Sequence, residues 1–132
     1  MASITKEILV NVTAEKTWDA IRDVGNLHTR LVRGFVTNTR MEEGARIVTF
    51  ANGMEVRELI VDMDEQQRRL VWSAQGGRST HHNASVQVFA EGKTCRIVWI
   101  ADFLPHEIKD AIDAMMEAGI KAIKTTLESD IA

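Results

Sequence analysis

The stretch that decides the fold is PHEIKDAIDAMMEAGIKAIKTTLESDI, at residues 105–131. At about 100° per residue, its apolar side chains fall within one arc of roughly 160°, whereas Asp110, Glu117 and Lys121 lie on the opposite side. The spacing predicts a long amphipathic helix that starts at Pro105 and must bury its apolar face. That face consists of Ile108, Ile112, Met115, Met116, Gly119, Ile120, Ile123, Thr126, Leu127 and Ile131.

The residues before this helix supply a sheet for it to cover. Alternation at a period of two predicts a first strand at 4–12, with Ile4, Ile8, Val10 and Val12 inward. Helical spacing then predicts two short helices, at 14–23 with Thr13 as the cap and at about 26–31. Six further strands are predicted at 33–41, 45–51, 54–63, 68–75, 80–90 and 94–103.

The order of these elements predicts one architecture. A curved antiparallel sheet with an apolar face must be covered, and the terminal helix is the element long enough to cover it. We therefore predict an α+β fold in which a seven-stranded antiparallel sheet grips a long C-terminal helix, with two short helices after the first strand. The absence of linkers or repeats predicts a single domain over residues 1–132.

Composition excludes several classes of function. The formal net charge of -3 and the scattered arginines argue against nucleic acid as a partner. The single cysteine, Cys95, rules out an internal disulfide and cysteine-based metal centres, and it fits a reducing compartment. Without an apolar run long enough to span a bilayer, or a secretory signal pattern, the expectation is a cytoplasmic protein that does not insert into membranes.

Several short motifs resemble one family across nearly the whole chain. They are AEKTW at 14–18, IRD at 21–23, NG at 52–53 followed by Glu58 and Asp62, and the closing run from Trp99 to Pro105. In these motifs the chain resembles the polyketide cyclase/dehydrase and lipid-transport group of the SRPBCC superfamily, which includes START domains and the birch-pollen allergen. The resemblance implies a helix-grip fold around a ligand cavity.

Glu58 is the first candidate site residue. If Asn52 and Gly53 form a two-residue hairpin turn, Glu58 lies opposite Ile47 and shares a face with Val56 and Thr49, while Arg46, Glu55 and Arg57 share the other face. Burial among apolar side chains disfavours the charged form of a carboxyl group, so Glu58 could be a general acid or base, or a polar anchor for a ligand. The resemblance implies the second role, through water. The structural alternative is a glutamate that reaches solvent or an arginine.

His82 and Asn83 depend on the register of the last hairpin. A two-residue turn at Glu91 and Gly92 would put His82 opposite Ala101, on the face of Trp99, and groups the apolar residues together. A three-residue turn would instead bring Asn83 beside Trp99. Either side chain could contact a ligand, although a core histidine satisfied by a backbone carbonyl is the structural alternative. Adjacent His81 and His82 point to opposite faces and cannot jointly bind a metal.

Four further residues could form cavity walls. Trp72 and Trp99 are large apolar side chains that most often belong to a core but can also form a cavity wall. Met115 fills irregular gaps. Gly119 costs helix stability unless close packing or cavity room requires it.

Two functions follow from these residues. The first is binding of a small apolar or aromatic molecule, such as a lipid or polyketide, between the sheet and the terminal helix, with Glu58 and His82 orienting it. The alternative is a cyclase or dehydratase-like enzyme that uses the same two side chains as acid and base. We expect no metal or other cofactor, and the sequence leaves the oligomeric state open.

Overall fold

A computed structural model describes residues 2–129 of the chain. The seven predicted strands and the long terminal helix are confirmed, and Ile131 lies outside the described residues. The elements are β1 (Ala2–Val10), α1 (Ala14–Arg22), a 3₁₀ helix (Val24–Asn26), α2 (Leu27–Arg30), β2 (Val36–Glu42), β3 (Ala45–Phe50), β4 (Glu55–Asp64), β5 (Arg69–Gln75), β6 (His81–Glu91), β7 (Thr94–Leu104), a second 3₁₀ helix (His106–Ile108) and α3 (Lys109–Ser129).

Two strand boundaries differ from the prediction for identifiable reasons. The strand predicted at 4–12 ends at Val10, because the next backbone N–H, of Asn11, donates to Glu128 of α3 at 2.9 Å. The strand predicted at 33–41 begins only at Val36, because its N–H donates to the carbonyl of Val32 and closes a turn there. These hydrogen bonds thus end β1 two residues earlier, and start β2 three residues later, than the alternation predicts.

The seven strands form one antiparallel sheet in the order β1-β7-β6-β5-β4-β3-β2. Register shifts occur in β2 between Val36 and Asn38, and in β4 between Ile60 and Asp62. Such irregularities bend a strand and increase its twist. They help to give the sheet the concave face on which α3 lies.

The second half of α3 is tied to the first part of the chain. Lys124 Nζ donates to the carbonyl of Leu9 at 2.9 Å, and the backbone N–H of Arg33 donates to Thr126 Oγ1 at 3.1 Å. Ile123 and Leu127 are buried in the core between these contacts. The predicted apolar face of the helix therefore does face the sheet.

Gly119 is the point where α3 comes closest to the sheet. A Cβ atom built on Gly119 would lie 2.8 Å from Cζ3 of Trp99 and 3.3 Å from Cε2 of Phe35. Real Cβ atoms do not approach other atoms so closely, so the indole of Trp99 occupies the space that any side chain would need. The glycine therefore serves close contact between helix and sheet.

The helix α1 closes one end of the sheet. Thr13 accepts a hydrogen bond from the backbone N–H of Lys16 and caps the helix as predicted. Trp18 is buried, and its Nε1 donates to Glu65 in the loop between β4 and β5 at 3.3 Å. Cys95 is also buried here, and its Sγ lies 3.3 Å from Thr17 Oγ1 of α1.

The predicted turn between β3 and β4 is wrong by one residue. Phe50 N–H donates to the carbonyl of Met54 at 2.9 Å, so the loop contains three residues, 51–53, instead of two. Gly53 takes the positive φ of 88° that such a loop requires at its last position. Asn52 does not form a two-residue turn with it, because its Oδ1 accepts from the N–H of Met54.

This slip exchanges the faces of β3. Arg46 pairs with Glu58, and Ile47 pairs with Arg57. Because successive side chains on a strand alternate, a shift of one residue moves each side chain to the other face. Arg46 therefore shares the concave face with Glu58, and Ile47 lies on the convex face, the reverse of the prediction.

The hairpin of β6 and β7 also has a different turn from the one predicted, but each side chain stays on the predicted face of the sheet. The turn consists of Gly92 and Lys93, so His82 pairs with Phe103 instead of Ala101, and Val86 pairs with Trp99. The shift moves the pairing by two residues, which preserves the alternation. His82 and Trp99 therefore share the concave face, as the preferred register required.

We expect Gly119→Ala to destabilise the protein although alanine is the better helix former. Helix propensity alone would stabilise it by about 1 kcal/mol, whereas forcing a methyl group against Trp99 costs about 1–3 kcal/mol. Chemical denaturation measures the sign. The exposed neighbour Ala118 provides the control, since Ala118→Gly should change helix propensity alone and lower the free energy of unfolding by about 1 kcal/mol. Stabilisation by Gly119→Ala would contradict the packing argument.

Candidate functional site

A cavity of about 610 Å³ lies between the concave face of the sheet and α3. The sheet contributes inward-facing side chains of β2 to β7, and α3 contributes Ala111, Ile112, Met115 and Ile123. Most of the wall is apolar. Its large side chains include Phe35, Phe50, Trp72, Trp99, Ile112 and Met115.

The cavity meets solvent at the end of the sheet where α3 begins. Loop residues 51–54, between β3 and β4, and 76–79, between β5 and β6, border it there, together with Ala111 of α3. Met54 and Arg78 both line the cavity and are exposed, so this is its mouth.

Arg46 and Glu58 form an ion pair in the cavity wall. Arg46 Nε donates to Glu58 Oε1 at 2.8 Å, and the two residues are only 4% and 8% exposed. A guanidinium nitrogen of Arg46 also approaches the carbonyl of Val24 at 3.4 Å. A buried charge is tolerated only when it is paired, so each of these side chains depends on the other.

Two tryptophans connect this pair to the apolar wall. The guanidinium carbon of Arg46 lies 5.8 Å from the ring centre of Trp72, within the range of a cation–π contact. The rings of Trp72 and Trp99 are 6.2 Å apart at an angle of 46°. Trp99 Nε1 is enclosed and finds no hydrogen-bond partner among residues 2–129, so Trp99 presents ring surface to the cavity.

The strand register aligns the polar side chains in a row across the sheet. Arg46 of β3 pairs with Glu58 of β4, and Glu58 pairs with Ala74 of β5. The pairing of β5 with β6 ends at Trp72 and Ala84, and two residues further on the same register sets Ala74 opposite His82. We call this row, Arg46, Glu58 and His82 with the small Ala74 between the last two, the polar row. All four residues line the cavity.

His82 replaces the missing backbone pairing between β5 and β6. Its Nδ1 accepts the backbone N–H of Ala74 at 3.0 Å, and its carbonyl accepts from Ser73 Oγ at 2.5 Å. Because Nδ1 is an acceptor, the neutral imidazole carries its proton on Nε2. His82 therefore bridges the two strands and keeps one donor for the cavity.

Burial lowers the pKa of His82 below its ordinary value of 6.5. The nearby charge of Glu58 acts in the opposite direction, as does Asp102 more weakly, and His81 adds to the lowering. Desolvation is the largest of these effects, so His82 is neutral at physiological pH.

The structure places most of the predicted site residues around the cavity, with two exceptions. Glu58, His82, Trp72, Trp99 and Met115 all line it. Asn83 does not, since it pairs with Asp102 on the convex face, and Gly119 lies behind Trp99.

Arg46 is the buried charged residue of the cavity wall that the sequence prediction missed. The two-residue turn at Asn52 and Gly53 assigned it to the convex face. Opposite charge could have corrected this, since only the three-residue loop pairs Arg46 with Glu58.

Neither a metal cluster nor a membrane-spanning helix occurs in the part of the chain that the structure describes. Within residues 2–129, side chains of His, Cys, Asp and Glu nowhere come together in threes as a metal site requires. None of the described helices combines the length and apolar character needed to cross a membrane.

We expect Glu58→Ala to lower the free energy of unfolding by about 3–5 kcal/mol, because it leaves the buried guanidinium of Arg46 unpaired. Chemical denaturation measures the loss. A matched control is Glu7→Ala, which breaks the ion pair with Arg96 whose side chains are 54% and 37% exposed and should cost less than about 1 kcal/mol. The double variant Arg46→Met/Glu58→Ala should recover part of the lost stability. Equal losses for Glu58→Ala and for the control Glu7→Ala would refute the role of the buried ion pair.

We expect His82→Gln to weaken the pH dependence of stability. Since the pKa of His82 is lower in the folded protein than in the unfolded chain, the stability linked to it is complete above pH about 6.5 and is lost as the pH falls. Glutamine can still accept the N–H of Ala74 but does not titrate here. Denaturation at pH 7.5 and 5.5 should show a larger decrease for the wild type than for the variant, and parallel decreases would show that His82 contributes nothing.

Comparisons with known proteins agree with this architecture. XoxI from Bacillus cereus has 19% identity and a TM-score of 0.86, with 96% of each chain covered. The di-domain ARO/CYC BexL from the BE-7585A biosynthetic pathway has 16% identity and a TM-score of 0.84, with 97% of this chain and 47% of that chain covered. Norcoclaurine synthase from Thalictrum flavum, solved with dopamine and hydroxybenzaldehyde, has 17% identity and a TM-score of 0.73, with 99% and 88% covered.

These identities establish likeness of fold alone. A comparison with curated protein sequences found no match. Residues 1–129, almost the whole chain, match the family described as polyketide cyclase / dehydrase and lipid transport. Since the match is that extensive, the chain belongs to the polyketide cyclase/dehydrase and lipid-transport family.

Proposed function

We propose that this protein binds a small, largely apolar molecule in the cavity between the sheet and α3. The observation that carries the proposal is the cavity itself, whose volume of about 610 Å³ lies inside the range of about 300–1,000 Å³ common for small-molecule sites. Its apolar wall holds three inner polar side chains, Arg46, Glu58 and His82. Sites of this kind combine apolar surface for affinity with a few polar groups for orientation.

The wall favours a ligand with aromatic or extended apolar surface. The rings of Trp72 and Trp99 offer faces against which a planar molecule can stack. Met115 adapts its shape to an irregular occupant. A lipid or polyketide-like molecule has this character, and both classes are named in the description of the family.

Filling the cavity should abolish binding without unfolding the protein. The neutral fluorophore N-phenyl-1-naphthylamine serves as the probe, because its emission rises in apolar surroundings. We expect Met115→Trp, inside the cavity, to weaken its binding at least about 10-fold. The matched control, Ala114→Trp on the exposed side of the same helix, should bind like the wild type.

Thermal unfolding of both variants shows whether the fold is kept. Saturable binding by the wild type that both variants retain would contradict a site beside Met115. Native mass spectrometry of the purified protein, followed by denaturing extraction, would identify a molecule that already occupies the cavity.

The second candidate is an enzyme of the cyclase or dehydratase kind. The observation that favours it is that Glu58 and His82 border the same cavity, close enough for the charge of Glu58 to act on His82. Glu58 would take a proton from the carbon next to a carbonyl group, and the Nε2–H of His82 would donate to the carbonyl oxygen. Because Arg46 already holds one oxygen of Glu58, binding is the function we place first.

The variant Glu58→Gln separates the two functions. With a synthetic poly-β-ketoacyl thioester as substrate, an enzyme should lose at least about 100-fold in turnover while N-phenyl-1-naphthylamine still binds. A binding protein should give no product above the buffer rate with either form. Equal turnover by wild type and variant would exclude Glu58 as the base.

A further inference from the structure

We propose that the cavity selects molecules with a hydroxyl group, which lies over Ala74 and links Glu58 to His82. The inference rests on the proposed binding function and names the polar group that the ligand must carry. It follows from what each member of the polar row offers to the cavity.

Glu58 offers an acceptor. Arg46 Nε engages Oε1, and since a guanidinium is charged throughout the physiological range, Glu58 pairs with it as a carboxylate. Among residues 2–129, neither a side chain nor a backbone N–H donates to Oε2. Glu58 Oε2 can therefore accept a hydrogen bond from a donor on the ligand.

His82 offers a donor. Its Nδ1 is occupied by the N–H of Ala74, so the proton of the neutral ring is on Nε2. Within the described part of the chain, nothing accepts a hydrogen bond from Nε2, and the ring borders the cavity. His82 Nε2–H can therefore donate a hydrogen bond to an acceptor on the ligand.

Ala74 leaves a gap between the two. It lies on the strand between those of Glu58 and His82. Paired strands are about 4.8 Å apart and β5 and β6 separate here, so the backbones of Glu58 and His82 stand at least about 10 Å apart. The methyl group of Ala74 fills little of this distance. The space above it is bounded by an acceptor on one side and a donor on the other.

A hydroxyl is the smallest group that meets both demands at one atom. It donates its hydrogen to Glu58 Oε2 and accepts from His82 Nε2–H through its oxygen. A ketone or ether oxygen can satisfy His82 but leaves Glu58 without a donor. A carboxylate is repelled by Glu58, and an ammonium group cannot accept from His82. The structure thus points to an alcohol or phenol on an apolar body.

Three naphthalenes of nearly equal shape test this selection. 2-Naphthol carries the hydroxyl, 2-methoxynaphthalene can only accept, and 2-methylnaphthalene can do neither. Each is used to displace N-phenyl-1-naphthylamine from the wild-type protein. A purely apolar cavity would prefer 2-methylnaphthalene, which is the least soluble in water, so the sign of the preference decides the matter.

We expect 2-naphthol to bind at least about 10-fold more tightly than either analogue. In Ala74→Val the added methyl groups fill the gap, and the advantage of 2-naphthol should fall below about threefold while 2-methylnaphthalene still binds. His82→Phe should have the same effect by removing the donor. The control Ala90→Val, the same change in β6 at an exposed position away from the cavity, should keep the full preference.

Equal or weaker binding of 2-naphthol by the wild type would overturn the inference and leave the cavity as a site for apolar molecules. A preference that survives in Ala74→Val, or a loss of all three probes from that variant, would overturn the position over Ala74. If neither the fluorophore nor any naphthalene binds the wild type, the proposed function fails, and this inference with it.

Discussion

The contact between Gly119 and Trp99 sets the distance between α3 and the sheet. At this point the helix backbone rests on an indole ring, with no room for a Cβ atom. Beyond it, Ile123 is buried in the cavity wall and Leu127 is buried in the packed core. Before it, Ile112 and Met115 are only partly buried and face the cavity. The helix thus rests on the sheet at its middle while its first half borders the cavity, so a protein of this size contains both a core and a cavity.

Inside that cavity, the polar row contains a buried ion pair. The ion pair of Arg46 and Glu58 is enclosed by Trp72 on one side and by the 3₁₀ helix that contains Val24 on the other. A pair so buried adds little net stability compared with apolar side chains, but the loss of one partner is costly. Its position in the wall of the cavity supports the proposed recognition of a polar group.

His82 contributes both to the fold and to the proposed binding site. Its ring takes the place of a backbone partner for Ala74 where β5 and β6 separate, and the same hydrogen bond determines which nitrogen faces the cavity. Burial keeps the ring neutral by lowering its pKa. A charged imidazole would donate from both nitrogens and could not accept the N–H of Ala74, so the structural role and the polarity offered to a ligand are two consequences of one hydrogen bond.

The order of strands and helices, the fold class and the buried face of α3 can be predicted from the sequence, because they depend on local periodicity along the chain. The hydrophobic pattern also placed Glu58 on an apolar face, and the preferred hairpin register placed His82 on the face of Trp99, with Asn83 as the alternative. Only the tertiary structure decided that Arg46 joins them, since one extra residue in the loop at 51–53 reverses the faces of β3. It also decided the cavity, because the separation of helix and sheet depends on how Gly119 and Trp99, 20 residues apart in the sequence, meet in space.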